Sequence, residues 1–346
     1  MVLTAAALSV GLLTTLPATA PTHTETSVTP VATEQFPTAA PEEQETVVEA
    51  DVSLSTPTDT TEEEPEPQTD GLIDTELNTR ARAALVNIFC TTKAGGEFKP
   101  LSGSGVVIDP RGVVLTNAHI AQYILLRDYP RKGNISCTIR GGSPAVPLYD
   151  IQVLYVSPEW VEKNANQIDA DNAKGTGEND FALLIAKTNN TLPYLPYSAA
   201  TPKSGERMLL AAYPAGFLSG EVIAENLYPT SAFVSVLQKY TYDDTSHTDL
   251  FSVGGSIISQ SGSSGGAAVR MDGTLAGLIS TAVLKGTTGE RDLRAISIAH
   301  IERSLAAAGL GSLADLLTGN IQSKAITFEE DVAPALTQKL VDALQD

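Results

Sequence analysis

The sequence predicts an all-β domain, a barrel or a sandwich, preceded by an acidic segment outside its core. From Arg80 onward, short runs rich in Val, Ile, Leu and Thr alternate with Gly, Pro, Asn and Asp, at spacings typical of sequential antiparallel strands. Before Arg80 there is no Lys or Arg, and 15 of the chain's 41 acidic residues lie there. The remaining 26 acidic residues face 22 basic ones, so the later part of the chain is nearly balanced in charge.

The first twenty residues form an apolar run, MVLTAAALSVGLLTTLPATA, which ends in the small residues Ala18, Thr19 and Ala20. Small residues in this place are typical of a signal-peptide cleavage site. The stretch from Val2 to Leu16 is 15 residues long, short of the roughly 20 that a spanning helix needs, and no basic residue precedes it. We expect residues 1–20 to be a signal peptide or a signal anchor. Either would make the protein extracytoplasmic, secreted or anchored in the cell envelope.

Residues 21–76 are rich in Thr, Pro and Glu and include the stretch TPTDTTEEEPEPQTD. Such a composition buries too little apolar surface to offset the entropy lost on ordering, and its like charges repel one another. The segment is predicted to be a disordered acidic linker. An acidic binding tail is the alternative, although no pattern beyond composition favours it.

The strand prediction rests on β-rich runs which are, in chain order, ALVNIFCTT, GSGVVIDPRGVVLTNAH, NISCTIRGG, PLYDIQVLYV, DFALLIAKT, RMLLAAYP, SAFVSVLQ and GTLAGLISTAV. Asp109–Gly112 reads Asp-Pro-Arg-Gly, which joins two apolar arms as a tight hairpin turn requires. Helical patterns are few: HIAQYILL from His119, AHIERSLAAAGLGSLADLL from Ala299 to Leu317, and the C-terminal ITFEEDVAPALTQKLVDALQD.

Two classes of partner find no support in the sequence. A nucleic-acid-binding protein carries a basic stripe that neutralises phosphates, and this chain has none. The four His and two Cys residues do not fall into zinc-ligand spacings. His247 in YTYDDTSHTD could chelate a cation with Asp243 or Asp244, but a solvated polar loop explains that stretch as well. We expect no metal, no cofactor and no nucleic-acid partner.

The stretch QSGSSGGAAV, from Gln260 to Val269, has two interpretations. Its composition is that of a flexible linker. The other interpretation is a catalytic elbow, in which glycines let backbone amides point at a developing oxyanion. A nucleophilic serine also needs a histidine base and a group that orients this histidine. In chain order the candidates are His119, at the end of the second hairpin arm, and Asp180, which opens the run DFALLIA.

SGSGVVID-PRGVVLTNAHI, ENDFALLIA and SGSSGGAAV-RMDGTLAGLIST together resemble the three signature blocks of trypsin-like (chymotrypsin-fold) serine proteases, and are most similar to the HtrA/Deg-like bacterial branch. The resemblance implies two packed antiparallel six-stranded β-barrels in a protease domain at 77–310, with barrel one at about 80–192 and barrel two at about 193–300. Residues 311–346 are then expected to form a short C-terminal helical tail, too short for the PDZ domain usual in HtrA proteins.

The family pattern G-x-S-G-G falls on Gly262–Gly266, so the resemblance implies Ser264 as the nucleophile. His119 is implied as the general base, and Asp180 as the group that fixes its tautomer and stabilises its charged form. The backbone amides of Gly262 and Ser264 are the implied oxyanion donors.

The resemblance also implies a substrate-binding surface. The strand LAGLIST would place Ser280 near the catalytic Asp, with Thr281 and Ala282 along an extended substrate backbone. Ile258 and Ser259 would form the base of the primary specificity pocket. Because no acidic residue lies there, small or medium apolar side chains are expected to be preferred over Lys or Arg.

Two further features concern barrel one. Between His119 and Asp180 the chain advances 61 positions, and EWVEKNANQIDADNAKGTGEN within this span is predicted to be a surface insertion close to the site. Cys90 and Cys137 would lie in neighbouring strands if the resemblance holds. Outside the cytoplasm they could form a disulfide, and two buried free thiols are the alternative, because the sequence does not fix their separation.

These observations favour a serine endopeptidase that cleaves extracytoplasmic polypeptides through an acyl-enzyme on Ser264. One alternative is a protease-like module that binds peptides or proteins without cutting them, because a fold does not determine a function. Another is a protease that cuts only its own linker, within residues 21–70. The sequence does not determine the oligomeric state.

Overall fold

The computed structural model describes residues 70–93, 99–168, 177–243, 246–282 and 286–345. The predicted signal segment at 1–20 and the linker up to residue 69 lie outside the described residues. The first described element is helix α1, Asp70–Ala83, which begins within the segment predicted as linker. Its residues Leu77 and Ala81 are buried against the core of the β domain. None of the helices in the described ranges is long and apolar enough to cross a membrane.

Fourteen strands in these ranges form two seven-stranded sheets in which the paired strands are antiparallel. The first sheet contains β1 Leu85–Thr92, β2 Leu101–Asp109, β3 Val113–Thr116, β4 Ile135–Gly141, β5 Val146–Tyr149, β6 Ile151–Val156 and β7 Ala182–Ala186. The second contains β8 Arg207–Ala212, β9 Thr230–Ser235, β10 Gln238–Tyr240, β11 Leu250–Gly254, β12 Ala267–Arg270, β13 Leu275–Ala282 and β14 Leu293–Ser297.

The strand order shows that each sheet curls on itself. In the first sheet the order is β5-β4-β1-β2-β3-β7-β6, so β5 and β6 lie at opposite edges although only Asp150 separates them. The second sheet has the order β10-β11-β14-β13-β12-β8-β9, and its edge strands β9 and β10 are separated only by Val236 and Leu237. Edges joined by one or two residues must lie close together, which requires a barrel-like curl.

The predicted chymotrypsin-like all-β fold is confirmed, with a different strand count. Six strands were expected in each barrel, whereas each sheet has seven. The difference arises where one run of chain serves both edges. PLYDIQVLYV reads as one strand, but its two halves pair with different neighbours, β4 and β7, on either side of Asp150.

Strand β8 shows how the two barrels share one core. Met208, Leu210 and Ala212 belong to a cluster inside barrel two. Leu209 and Ala211 belong to the larger cluster that also contains the barrel-one residues. Because side chains alternate across a strand, β8 is apolar on both faces and packs barrel two against barrel one.

The remaining helices are α2 Ala118–Leu125, α3 Pro158–Asn164, α4 Gly220–Glu225, α5 Ile298–Ala307, α6 Leu313–Leu317, α7 Ile321–Thr327 and α8 Ala333–Gln345. Helix α2 and the pair α5 and α6 agree with the predicted helical runs. One helix was expected in the C-terminal tail, whereas the described residues form three, α6, α7 and α8. A π-helical turn at Phe328–Val332 joins α7 to α8. Helix α8 packs on α2 and α3, so the tail covers α2, the helix that contains His119.

Candidate active site

His119 and Asp180 meet at the end of barrel one. His119 lies in the first turn of α2, directly after β3, and Asp180 directly precedes Phe181 and β7, which pairs with β3. The imidazole Nδ1 of His119 is 2.8 Å from Oδ2 of Asp180, and the backbone N–H of His119 donates to Oδ1 at 3.0 Å. Two contacts from one carboxylate fix both the position and the tautomer of the ring, since Nδ1 must carry the proton.

Polar neighbours hold this pair in place. The Ser280 hydroxyl donates to Oδ2 of Asp180 at 2.9 Å, and the Asn117 amide donates to the backbone carbonyl of Asp180 at 2.8 Å. The Gln122 amide donates to the carbonyl of His119 at 2.9 Å. Because Asp180 is only 4% exposed, these contacts supply the hydrogen bonds that a buried carboxylate requires.

The charges of the two residues are coupled. Burial lowers the pKa of His119, but the charge and the hydrogen bond of Asp180 raise it more, so the pKa lies above its ordinary value. Burial raises the pKa of Asp180, but His119 and the Ser280 hydroxyl lower it more, so the pKa lies below its ordinary value. The carboxylate is therefore ionised at neutral pH, and it favours a proton on the imidazole.

The stretch around Ser264 is a folded loop and not a linker. Gly262 has φ +89° and Gly265 has φ +84°, values that favour glycine. A Cβ on Gly265 would lie 1.9 Å from the carbonyl oxygen of Ser104, so the loop contacts β2 at a point where only glycine fits. Ser261 is exposed and Ser263 is 1% exposed, whereas Ser264 is half-buried.

Two amides of this loop are free for a ligand. The N–H of Ser263 donates to Gln260 and the N–H of Gly265 donates to Ile279. Across the described ranges, the N–H groups of Gly262 and Ser264 have no hydrogen-bond acceptor. An oxyanion hole requires N–H groups that are not already hydrogen-bonded within the protein, so these two amides stay candidates for that role.

The Ser264 hydroxyl donates to the carbonyl oxygen of Ser280 at 3.1 Å. Its proton is therefore engaged with the backbone of β13 and not with His119. The hydroxyl must turn away from this carbonyl before the imidazole can accept its proton. Ser280 links Ser264 to the catalytic pair, since its carbonyl accepts from Ser264 and its hydroxyl donates to Asp180, which contacts His119.

Ser104 is a residue of the site that the sequence does not single out. It lies on β2 and is fully buried; its hydroxyl donates to the carbonyl of Gly262 at 2.7 Å and accepts from the N–H of Tyr213 at 2.8 Å. Its own N–H donates to the carbonyl of Ser264 at 2.7 Å. Barrel one thereby fixes the loop of barrel two that carries the expected oxyanion donors. Ser104 lies in the stretch SGSG, which is the one local pattern that could have drawn attention to it.

The residues predicted for substrate binding lie in two parts of barrel two, before the Ser264 loop and at the end of β13. Ile258 is fully buried in the core of barrel two, and Ser259 is fully buried with its hydroxyl accepting from the N–H of Ser256 at 2.9 Å. Neither side chain is exposed, so any contact with substrate here would involve the backbone. Thr281 and Ala282 end β13, and Ala282 pairs with Leu293 of β14.

Arg291 is a second residue that the sequence does not single out. Its Nη1 donates to the carbonyl of Ser259 at 2.6 Å, and its guanidinium lies 5.6 Å from the ring centroid of Phe217, which is 68% exposed. The segment at the predicted specificity pocket therefore has a positive charge beside it. No short motif marks Arg291, because its contacts depend on two loops meeting.

Cys90 and Cys137 are paired residues on the neighbouring strands β1 and β4. Their sulfur atoms are joined at 2.07 Å. Throughout the described ranges, no group of His, Cys, Asp and Glu side chains could hold a metal ion. His247 is exposed, and its proposed partner Asp244 lies outside the described residues.

A scan against protein-family models matches residues 103–278 to the trypsin-like peptidase domain. This span covers half of the chain and includes His119, Asp180 and Ser264. The chain belongs to the trypsin-like peptidase family, as its sequence motifs predict. No curated protein sequence matches the chain.

Several solved structures are similar to the chain. The active form of the Rv3671c protease from M. tuberculosis has 19% identity and a TM-score of 0.44, with 73% of this chain and 93% of that chain covered. A serine endoprotease from Yersinia pestis has 18% identity and a TM-score of 0.44, with 70% and 66% covered. Deg5 has 16% identity and a TM-score of 0.45, with 68% and 92% covered.

Proposed function

We propose that the protein is a serine endopeptidase that hydrolyses extracytoplasmic polypeptides through an acyl-enzyme intermediate. The observation that carries the proposal is the pairing of a hydrogen-bonded His119–Asp180 couple with a serine loop whose Gly262 and Ser264 amides are unused. Membership of the trypsin-like peptidase family supports the same reaction class.

The reaction follows from the atoms present. Ser264 rotates away from the Ser280 carbonyl, His119 Nε2 takes the hydroxyl proton, and Oγ attacks the peptide carbonyl carbon. The negative oxygen that forms accepts hydrogen bonds from the amides of Gly262 and Ser264. His119 returns the proton to the leaving amine as the C–N bond breaks, and an ester remains on Ser264. Water, deprotonated by His119, then hydrolyses that ester.

The substrate is an extended segment of polypeptide with an uncharged or apolar side chain at the cleavage site. The end of β13 at Ser280–Ala282 supplies backbone groups that can pair with an extended chain. The charge of Arg291 beside Ser259 disfavours Lys or Arg in the neighbouring pocket, because like charges repel.

The test uses the full chain beside its Ser264→Ala variant. Both are treated with a fluorophosphonate probe, which reacts with activated serines, and the labelled residue is mapped by mass spectrometry. We expect labelling on Ser264 alone. A fluorogenic peptide library then reports side-chain preference, and rapid cleavage after Lys or Arg would contradict the proposed preference.

One observation favours a second candidate, a peptide-binding module without catalysis. The Ser264 hydroxyl is hydrogen-bonded to Ser280 and not to His119. If a folded wild-type protein remains unlabelled and cleaves no peptide in the library, the endopeptidase proposal is wrong. Binding of the same peptides to the unlabelled protein would then support the second candidate.

A further inference from the structure

The residue before Asp180 has an unusual backbone and an enclosed side chain. Asn179 has φ +57° and is the only described residue other than glycine with a positive φ. Asn adopts this left-handed region more readily than other side-chain-bearing residues. Because Asn179 directly precedes Asp180, its backbone angles set where the chain enters the catalytic position.

Both ends of the Asn179 side chain are hydrogen-bonded. Its Nδ2 donates to Oε2 of Glu159 at 2.7 Å, and its Oδ1 accepts from the hydroxyl of Ser304 at 2.6 Å. Asn179 is 5% exposed, so water reaches it poorly. A carboxylate can only accept from the amide nitrogen, which fixes the orientation of the carboxamide.

The two partners come from elements distant in the chain. Glu159 lies in the first turn of α3, within the insertion, and Ser304 lies on α5, which follows the last strand of barrel two. The Ser304 oxygen is also 3.3 Å from Nε2 of His300, a longer contact than the one to Asn179. Asn179 is therefore held from both sides, by barrel one's insertion and by barrel two's helix.

We call the hydrogen bonds of Asn179 with Glu159 and Ser304 the clamp. The backbone around Asn179 connects this clamp to the catalytic pair. The N–H of Phe181 donates to the carbonyl of Asn179 at 2.8 Å, and the N–H of Asp180 donates to Gly177 at 3.2 Å. A change in the peptide before Asp180 would move the carboxylate relative to its two contacts with His119. Displacements of about 1 Å in a catalytic group can reduce rates by about a hundredfold.

We propose that Asn179 is a positioning residue for Asp180, and that Glu159 and Ser304 act through it. The inference rests on the proposed function for its catalytic consequence. The effect of the clamp on the strength of the Asp180–His119 interaction does not depend on that function.

The decisive variant is Asn179→Gly. Glycine tolerates the positive φ, so the substitution adds no backbone strain while both side-chain hydrogen bonds that hold this peptide in place are lost. The pKa of His119 is followed by NMR titration of its ring Cε1–H signal, in the Ser264→Ala background so that no turnover is involved. We expect the pKa of His119 to fall in Asn179→Gly, because a displaced Asp180 raises it less.

Activity gives a second readout in the Ser264-containing protein. We expect kcat/KM for a fluorogenic peptide to fall by about tenfold or more in Asn179→Gly, with the loss mainly in kcat. We also expect the acidic limb of the pH profile to move to lower pH. A change that only destabilised the fold would lower Tm without moving this limb.

The partners are tested by matched substitutions. Ser304→Ala and Glu159→Ala remove one contact each and should reproduce part of the fall in kcat/KM and in the pKa of His119. Glu159→Gln keeps an oxygen that can accept from Asn179 and should behave like the wild type. Asn179→Gly combined with Ser304→Ala should cost less than the sum of the two, because the pair shares one interaction. Asn190→Ala, at an exposed asparagine after β7, serves as the control.

An unchanged pKa of His119 in Asn179→Gly would overturn the inference. So would additive effects of Asn179→Gly and Ser304→Ala. If wild-type protein hydrolyses no peptide, the endopeptidase proposal fails, while the NMR titration still decides whether the clamp positions Asp180.

Discussion

At the scale of single residues, the chemistry of the site depends on the ion pair formed by His119 and Asp180. Their side chains meet at 2.8 Å, and the Asp180 carboxylate is nearly inaccessible to water. Low accessibility strengthens the attraction between the carboxylate and a protonated imidazole. Burial lowers the pKa of His119, but this attraction and the hydrogen bond of Asp180 together raise it more, so the pKa lies above its ordinary value.

This shift predicts the pH dependence of hydrolysis. In the proposed mechanism His119 must be neutral to accept the Ser264 proton, so kcat/KM should fall as the pH drops through the raised pKa of His119. The acidic limb is expected at a higher pH than the ordinary imidazole value of about 6.5. A pH profile of kcat/KM on a fluorogenic peptide measures it.

Asp180→Asn provides the comparison for this prediction. It removes the carboxylate charge that raises the pKa of His119. Burial then lowers this pKa, so the acidic limb should move to lower pH. We expect the rate to be reduced by about ten thousandfold. A wild-type limb at or below the ordinary imidazole value would contradict the prediction.

At the scale of elements, the predicted β-rich runs cover ten of the fourteen described strands and omit β10, β11, β12 and β14. The hairpin of β2 and β3 appears where VVIDPRGVVL indicates it. Strands β11 and β14 are not predicted, because Ser252 and Arg294 interrupt their apolar pattern. These two strands pair with each other, and their partners supply the stability that their sequences lack.

The link between β1 and β4 gives a prediction at this scale. Cys90 and Cys137 close a loop with a sequence separation of 47, which in the chain-entropy view stabilises the fold by about 3–4 kcal/mol. We expect the double variant Cys90→Ser and Cys137→Ser to lose about this much free energy of unfolding, measured by urea denaturation. Wild-type protein treated with reductant should shift in the same direction. Equal midpoints for oxidised wild type and the double variant would contradict it.

At the scale of the whole molecule, the C-terminal helices complete barrel one. Helix α8 packs on α2 and α3, and the Thr337 hydroxyl donates to the carbonyl of Leu125 at 3.3 Å. Arg111, in the hairpin turn, donates to the carbonyls of Leu317 and Gly319 at 2.6 and 3.0 Å. The tail therefore covers apolar surface beside the helix that carries His119.

Leu340→Ala tests this arrangement. Leu340 is fully buried on α8, and removing a buried leucine side chain typically costs about 2–5 kcal/mol. We expect a loss in this range in the free energy of unfolding. Lys339→Ala on the same helix removes only an exposed pair with Glu162 and should cost about 1 kcal/mol or less. Equal effects of the two substitutions would mean that α8 is not part of the cooperative core.

The order of residues alone predicts the class of chemistry and the position of most strands. Glycines around Ser264, a histidine after a hairpin and an aspartate before a strand are local patterns, and local patterns can be read from neighbouring residues. The residues that surround these patterns become visible only in the folded protein. Ser104 reaches Gly262 across 158 positions and Ser304 reaches Asn179 across 125. Such contacts follow from how two curled sheets and their helices pack, and the residues around either end do not tell which distant residue will be met.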